Sequence, residues 1–166
     1  MRETKFEFWF AKLQDQAALA DLMLEANRHY WGEAKHAVEM TSKAADTLVH
    51  GRSGCQAVIA CEAGILKGFA TVSVLLPAQN EHGTLFMKDL FISKSARGTG
   101  LGNRFMRYLA QHAVELGCHR FDWTAETDNP RAVAFYDDLN ASRVVEKVYF
   151  RFSDAGLREF AYTDKD

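Results

Sequence analysis

The chain has 166 residues, of which 48% are hydrophobic and 25% charged, and its formal net charge is −2. This composition predicts a single globular domain over residues 1–166, and the slight negative charge argues against nucleic acid as a partner. No apolar run reaches membrane-spanning length and the N-terminus lacks a signal-peptide core, so we expect no membrane partner and a cytoplasmic location. The three cysteines show no Cys-x-x-Cys spacing, which argues against a disulfide framework or a metal site.

In the first half of the chain, the apolar pattern predicts two helices set among strands. The predicted elements are a strand over residues 4–13, a helix capped by Asp15, a helix over 38–49, a hairpin of strands 55–61 and 66–76, and a polar loop over 77–82.

In the second half, a strand leads into a glycine-rich turn and an amphipathic helix. The predicted elements are a strand over residues 85–92, the turn over 93–102, helices over 103–117 and 130–139, a strand over 119–125, a final hairpin over 143–152 and a helical turn after 153. Strands interspersed with helices predict an α/β or α+β fold with a mixed sheet.

The turn between the strand and the helix is the most informative segment. A glycine-rich turn at a helix N-terminus exposes backbone N–H groups and binds anions, and Gly98, Gly100 and Gly102 allow positive φ and close approach of a phosphate. Its spacing fits neither the phosphate-binding loop of nucleoside triphosphatases nor the Gly-x-Gly-x-x-Gly dinucleotide fingerprint. An ordinary surface turn remains an alternative for the glycines taken alone.

Two segments together resemble the GNAT N-acetyltransferase superfamily. Residues 89–102 resemble its acetyl-CoA signature, Arg/Gln-x-x-Gly-x-Gly/Ala between a strand and a helix, and residues 129–136 resemble its Asn-x-x-Ala-x-x-Phe-Tyr helix. The resemblance implies a mixed, mostly antiparallel sheet of six to seven strands flanked by helices, with a parallel pair around the signature helix.

The resemblance implies acetyl-CoA as co-substrate and no metal. It places the pyrophosphate on the turn and the pantetheine arm along the preceding strand, where a backbone N–H polarises the thioester carbonyl. The implied acetyl-CoA-binding residues are Leu90, Phe91, Ile92, Arg97, Gly98, Thr99, Gly100, Leu101, Gly102, Asn103 and Asn129. Asn129 has an equally good interpretation as a helix cap.

Tyr136 is the implied catalytic proton donor to the departing thiolate, since a tyrosine is protonated at neutral pH. A packed aromatic residue beside Phe135 is the alternative interpretation. A carboxylate or a water chain is needed to accept the proton that the amine must lose. The candidate carboxylates are Asp89, Glu126, Asp122 and Glu33, with Asp89 and Glu126 placed nearest the expected cleft, and a solvated surface carboxylate is the alternative for each.

Tyr30, Trp31 and Glu33 are candidate acceptor-binding residues, through cation–π contact and charge. Packing at the edge of the core is the alternative for the two aromatic residues. Local similarity to diamine and polyamine acetyltransferases favours a small cationic amine as acceptor. Lys88 beside Asp89 and Asn140 in place of glycine depart from that branch.

The sequence therefore predicts an acetyl-CoA-dependent N-acetyltransferase that acts on a primary amine by direct attack on the thioester. A non-catalytic acyl-CoA-binding module, and an acetyltransferase for peptide or protein amines or aminoglycosides, remain alternatives. A homodimer formed through the aromatic C-terminal strand is a further expectation.

Overall fold

A computed structural model describes residues 5–33, 37–76 and 82–163. The chain divides into two compact units, residues 1–125 and 126–166, and each is described by itself. None of the described helices is long and apolar enough to cross a membrane.

The first unit is a five-stranded sheet with three long helices. Its elements are β1 (Glu7–Phe10), α1 (Gln16–Trp31), α2 (Ala37–Val49), β2 (Gln56–Glu62), β3 (Ile65–Leu75), β4 (Thr84–Ile92), α3 (Leu101–Glu115) and β5 (Arg120–Trp123). The strands lie in the order β1-β2-β3-β4-β5, antiparallel except for the parallel pair β4 and β5, which α3 connects. The predicted mixed sheet and its parallel pair are therefore confirmed.

One face of the sheet packs against α1 and α2. Helical spacing in α1 brings its apolar residues onto the sheet, where they meet side chains that alternate along β2, β3 and β4. The buried cluster on this face consists of Leu19, Leu22, Ala26, Ala45, Ala57, Ile59, Phe69 and Phe91.

The other face packs against α3, whose residues Leu101, Phe105, Met106, Leu109 and Ala113 are buried. The Phe105 ring lies edge-on to Phe8 of β1, with centroids 5.3 Å apart. Gly68 of β3 permits this close packing, because a Cβ there would lie 2.9 Å from the Phe91 carbonyl oxygen and 3.4 Å from the Phe105 ring.

A β-bulge interrupts β4 at Lys88. Thr71 of β3 pairs with Asp89, but the next residue, Val72, pairs with Met87, so Lys88 is the extra residue. Because side chains alternate along a strand, one extra residue moves every later side chain to the opposite face. Asp89 therefore lies on the α1 side of the sheet, whereas uninterrupted alternation would place it beside Met87.

The second unit contains two helices, α4 (Pro130–Asp137) and α5 (Asp154–Tyr162). The prediction of a hairpin over residues 143–152 was wrong, so the described sheet has five strands instead of six to seven. A strand needs a hydrogen-bonded neighbour. Arg143 is instead held by α4, where its Nε donates to Asp137 Oδ1 at 2.9 Å.

The other predicted bounds are close to those observed. The first strand is shorter than predicted, α4 ends two residues early, and Asn140 adopts a left-handed φ of 57° just after it. The predicted loop over 77–82 lies, apart from His82, outside the described residues.

Candidate active site

The turn before α3 forms an open anion cradle. Gly98 and Gly100 both have φ of 79°, and an added Cβ at either would meet no atom within 4 Å. Gly100 is the N-cap of α3, so the amides of Leu101, Gly102 and Asn103 have no helical carbonyl to bind. These open amides and the helix dipole suit a phosphate group.

Two of the residues predicted to form the cradle, Gly102 and Thr99, differ from the prediction. Gly102 lies within the first turn of α3 and has no positive φ, so its predicted conformational role was wrong. The Thr99 hydroxyl donates to the Ala96 carbonyl oxygen at 2.7 Å, which keeps the side chain within its own turn.

The C-terminal half of β4 has an open edge. Pairing with β5 covers only Thr84–Met87, so the described sheet provides no strand neighbour beyond Met87 on that side. The Ser93 N–H donates to the Lys67 carbonyl oxygen on β3 at 2.8 Å. Because backbone groups alternate between the two edges of a strand, those of Leu90 and Ile92 point to the open edge, whereas those of Phe91 point to β3.

The Arg97 side chain lies against the open edge of β4. Its Nε donates to the Ile92 carbonyl oxygen at 3.1 Å, and its guanidinium carbon lies 5.8 Å from the centroid of the Phe91 ring. The guanidinium thus supplies positive charge at the strand end, while the open amides lie in the following residues.

A hydrogen bond from the neighbouring strand, β3, holds the Asp89 carboxylate. The Thr71 hydroxyl donates to Asp89 Oδ2 at 2.7 Å. Lys88 Nζ lies 4.0 Å from Oδ1, and both side chains are more than half exposed. The carboxylate therefore has one oxygen bound to the protein and another open to solvent with a weakly placed cation beside it.

Tyr30, in the last turn of α1, lies over the same part of the sheet. Its ring is 6.2 Å from that of Phe91. Burial raises the pKa of the Tyr30 phenol, Arg97 lowers it in part, and Asp89 raises it further. These influences indicate that Tyr30, Arg97 and Asp89 share one electrostatic environment, in which Tyr30 remains a neutral hydrogen-bond donor at physiological pH.

The other predicted acceptor residues lie at the end of α1. The Trp31 ring is 76% exposed and lies 5.7 Å from the Tyr30 ring. The Glu33 carboxylate forms an ion pair with Arg28 Nε at 3.0 Å, which partly neutralises its charge.

Sequence reasoning missed Thr71, His29 and Glu25. The His29 ring lies 5.0 Å from Tyr30 and 6.2 Å from Phe91. Glu25 Oε1 accepts from the Ser93 hydroxyl at 3.0 Å and from the Lys94 N–H at 2.9 Å, which ties α1 to the end of β4. A polar residue within the apolar run Phe69-Ala-Thr-Val was the one available signal for Thr71.

Glu126, Asn129 and Tyr136 lie in the second unit. Asn129 caps α4, since its side-chain oxygen accepts from the Ala132 N–H at 3.1 Å, and its own N–H donates to the Glu126 carbonyl oxygen at 3.1 Å. Tyr136 is partly buried in the last turn of α4, with its ring 5.1 Å from Phe135. The cap interpretation of Asn129 is thus confirmed.

Among the residues that the structure describes, no group of three or more histidine, cysteine or carboxylate side chains is arranged to hold a metal ion.

A sequence profile of the acetyltransferase (GNAT) family matches residues 17–140, which is most of the chain. The chain belongs to the GNAT acetyltransferase family. The match includes β4, the cradle, α3 and α4, and it confirms the family predicted from the two sequence segments.

Curated relatives match part of this GNAT chain. Thialysine N-epsilon-acetyltransferase from Sus scrofa is 29% identical over 80 residues, 46% of this chain and 47% of that protein. The aligned region thus spans about half the length of the curated relatives.

Solved structures share the fold over nearly the whole chain. An integron cassette protein from the mobile metagenome of V. cholerae is 36% identical, with a TM-score of 0.85 over 95% of this chain and 98% of that one. The aminoglycoside N-acetyltransferase AAC(6')-Iy, solved with CoA, is 14% identical, with a TM-score of 0.72 over 91% of this chain and 97% of that one. This second likeness concerns the fold alone.

Proposed function

We propose that this GNAT protein transfers the acetyl group of acetyl-CoA to a primary amine of a small cationic acceptor. The proposal depends mainly on one observation, the order in which three features follow one another along the chain. Asp89 is followed by the open edge of β4 and then by the cradle before α3. An amine-binding carboxylate, a polarising strand edge and a phosphate cradle are the parts that this reaction requires.

The cradle fits the pyrophosphate of acetyl-CoA. The open amides of Leu101–Asn103 provide donors, and no atom within 4 Å of a Cβ built on Gly98 or Gly100 obstructs the approach of a phosphate. Acetyl-CoA supplies the activated acyl group when bound. The open edge of β4 is suited to pair with an extended amide-containing arm, and the outward N–H groups of Leu90 and Ile92 are the donors for a thioester oxygen.

The reaction needs three proton movements. The acceptor ammonium loses a proton, the neutral amine nitrogen forms a bond to the acyl carbon, and the carbon–sulfur bond breaks. The nitrogen then loses a second proton to become the amide, and the thiolate takes up one proton. Asp89 and Glu126 are the proposed proton acceptors, and Tyr136 is the proposed proton donor. Tyr30, Trp31 and Glu33 are proposed to bind the acceptor, because aromatic faces and carboxylates attract cations.

The relatives' names support the acceptor class. The curated relatives are named as N-epsilon-acetyltransferases of thialysine, which is a small amine. The Asp89 carboxylate is 54% exposed and so accessible to a cationic amine.

The test is release of free CoA thiol from acetyl-CoA with a panel of diamines, polyamines, thialysine, lysine, aminoglycosides and short peptides. We expect turnover with at least one small amine and a matching mass gain of one acetyl group on that amine. CoA binding without turnover on any amine would instead identify an acyl-CoA-binding module and overturn the proposal.

We propose further that residues 1–166 act as one domain in a homodimer within a reducing compartment such as the cytoplasm. The match to the acetyltransferase (GNAT) family runs from residue 17 to residue 140 and so includes residues of both units. Exposed apolar side chains such as Val145, Phe150 and Tyr162 favour a second copy as partner. The unpaired state of Cys55, Cys61 and Cys118 supports the compartment, and light scattering tests the dimer.

A further inference from the structure

Thr71 is a buried polar residue whose hydroxyl is directed at the candidate site. It lies in the middle of β3 with 5% of its surface exposed, directly opposite Asp89 on β4. Its hydroxyl donates to Asp89 Oδ2 at 2.7 Å, a short distance typical of a charge-assisted hydrogen bond.

The Thr71 hydroxyl is unusual for a buried threonine, because it donates to a side chain on another strand and not to nearby backbone. Thr41 of α2, which is equally buried, donates to the Ala37 carbonyl oxygen of its own helix at 2.9 Å. Such a bond to the local backbone is the common way to satisfy a buried hydroxyl. The Asp89 side chain is 54% exposed and has water available to it, so the hydrogen bond from Thr71 acts mainly to restrain the carboxylate.

The hydrogen bond from Thr71 determines which carboxylate oxygen of Asp89 is available to a ligand. With Oδ2 held by Thr71, Oδ1 is the oxygen left for a ligand, and its protein neighbour is Lys88 Nζ at 4.0 Å. The bulge at Lys88 has already brought Asp89 to the face of the sheet on which α1 packs. The charge of Asp89 also raises the pKa of Tyr30, which lies at the end of that helix.

We infer that Thr71 is a positioning residue, which holds the Asp89 carboxylate so that Oδ1 receives the ammonium group of the acceptor. This inference rests on the proposed function and deepens it, because it assigns acceptor affinity to a residue that does not itself touch the acceptor.

The experiment compares Thr71→Val, Thr71→Ser, Asp89→Asn and the double variant Thr71→Val/Asp89→Asn. Thr84→Val is the matched control, since Thr84 is also buried in this sheet, at 6% exposure, but lies at the opposite end of β4. The amine identified in the thiol-release panel is titrated at saturating acetyl-CoA, and acetyl-CoA is titrated at saturating amine.

We expect Thr71→Val to lower kcat/KM for the amine about tenfold, because Asp89 is proposed both to bind the ammonium group and to accept its proton, with KM for acetyl-CoA changed less than about twofold. Thr71→Ser, which keeps the hydroxyl, should behave as the wild type. The double variant should be no worse than Asp89→Asn alone, because the two residues act through one carboxylate. If Thr71→Val fails to fold, as circular dichroism would show, Thr71→Ala serves for the same comparison.

Equal kinetics for Thr71→Val and Thr84→Val would overturn the inference and leave the proposed function standing. Independent, additive effects of Thr71→Val and Asp89→Asn would also overturn it. A wild-type protein that consumes no amine would overturn both proposals together.

Discussion

At the residue scale, we expect the charge balance around Asp89 to set how strongly the proposed cationic acceptor binds. Lys88 Nζ lies 4.0 Å from Asp89 Oδ1, and the bulge leaves the lysine without a partner residue in the β3 ladder. A cation at this distance competes with an incoming ammonium group for the same oxygen.

We expect Lys88→Met to lower KM for the cationic amine about two- to fivefold, a range set by the weakness of exposed ion pairs. The effect should shrink in about 0.5 M salt, because exposed charges are screened. Lys5→Met, another exposed lysine before β1, is the control and should leave KM unchanged. An unchanged KM in Lys88→Met would show that Lys88 does not act on the acceptor.

Tyr136 is predicted to donate a proton to the thiolate. We expect Tyr136→Phe to lower kcat about ten- to 10⁴-fold with little loss of stability, because only the hydroxyl is removed. Tyr162→Phe removes the same hydroxyl from a residue that is 88% exposed and should leave kcat unchanged. Steady-state kinetics and thermal melts measure both variants, and full turnover in Tyr136→Phe would leave the residue with a packing role only.

The residues of the site were predictable to different degrees. The left-handed conformations of Gly98 and Gly100 and the capping role of Asn129 were recognisable because they depend on local backbone conformation, which a short motif encodes. Thr71 was missed, because its importance arises from its partner on another strand. The direction of the Arg97 side chain, toward Ile92, likewise depends on packing and not on the motif.

At the scale of single elements, the turn before α3 depends on the left-handed conformation of Gly100. We expect Gly100→Val to weaken CoA binding more than about tenfold, because a β-branched side chain opposes a φ of 79° and fills the space above the amides. Calorimetric titration with CoA measures the affinity.

Gly54→Val is the matched control for this change. Gly54 has a φ of 70° and equally open surroundings, so its backbone strain should be similar. Gly54 lies in the loop before β2, outside the cradle. The CoA affinity of the Gly54→Val variant should therefore match that of the wild type. Retained CoA binding in Gly100→Val would remove the cradle from the proposed site.

The end of α4 contains an ion pair that should make the second unit sensitive to acid. The hydrogen bond from Arg143 lowers the pKa of the exposed Asp137 carboxyl below its usual 3.8. A carboxyl whose folded pKa is depressed adds stability above its unfolded pKa and loses that contribution as the pH falls through the folded value.

We therefore expect the protection of α4 amides from hydrogen exchange to fall below about pH 4 in the wild type. In Arg143→Met, the α4 amides should be less protected from exchange at neutral pH, and their protection should fall less on going to acid. Arg52→Met, which removes the partner of Asp46 in the first unit, should leave α4 unaffected. Identical acid profiles in the wild type and Arg143→Met would mean that the ion pair does not stabilise α4.

At the scale of the whole molecule, the proposal of one domain predicts one unfolding transition. The three tryptophans, Trp9, Trp31 and Trp123, all lie in the first unit, so their fluorescence reports on that unit alone. Hydrogen exchange in α4 and α5 reports on the second unit. Coincident denaturation midpoints from the two probes are expected, and separate midpoints would indicate independently folding parts.

The sequence by itself determined the family, the mixed sheet with its parallel pair, and the cradle before α3. The turn depends on a glycine spacing within a short segment, which local sequence encodes directly. The family and the parallel pair followed from the resemblance of two such segments to a known family. The final hairpin was the element that local pattern predicted wrongly, because alternation shows that a segment is able to form a strand but not that a neighbour is present.

Only the tertiary structure decided how the acceptor end of the site is built. Leu85, Met87, Asp89 and Phe91 alternate along the sequence and would share one face of an unbroken strand. The bulge at Lys88 reverses this, placing Asp89 opposite Thr71 and Phe91 opposite Phe69. A bulge is decided by how two strands pair, so the face on which Asp89 lies is a property of the β3–β4 pair and not of β4 alone.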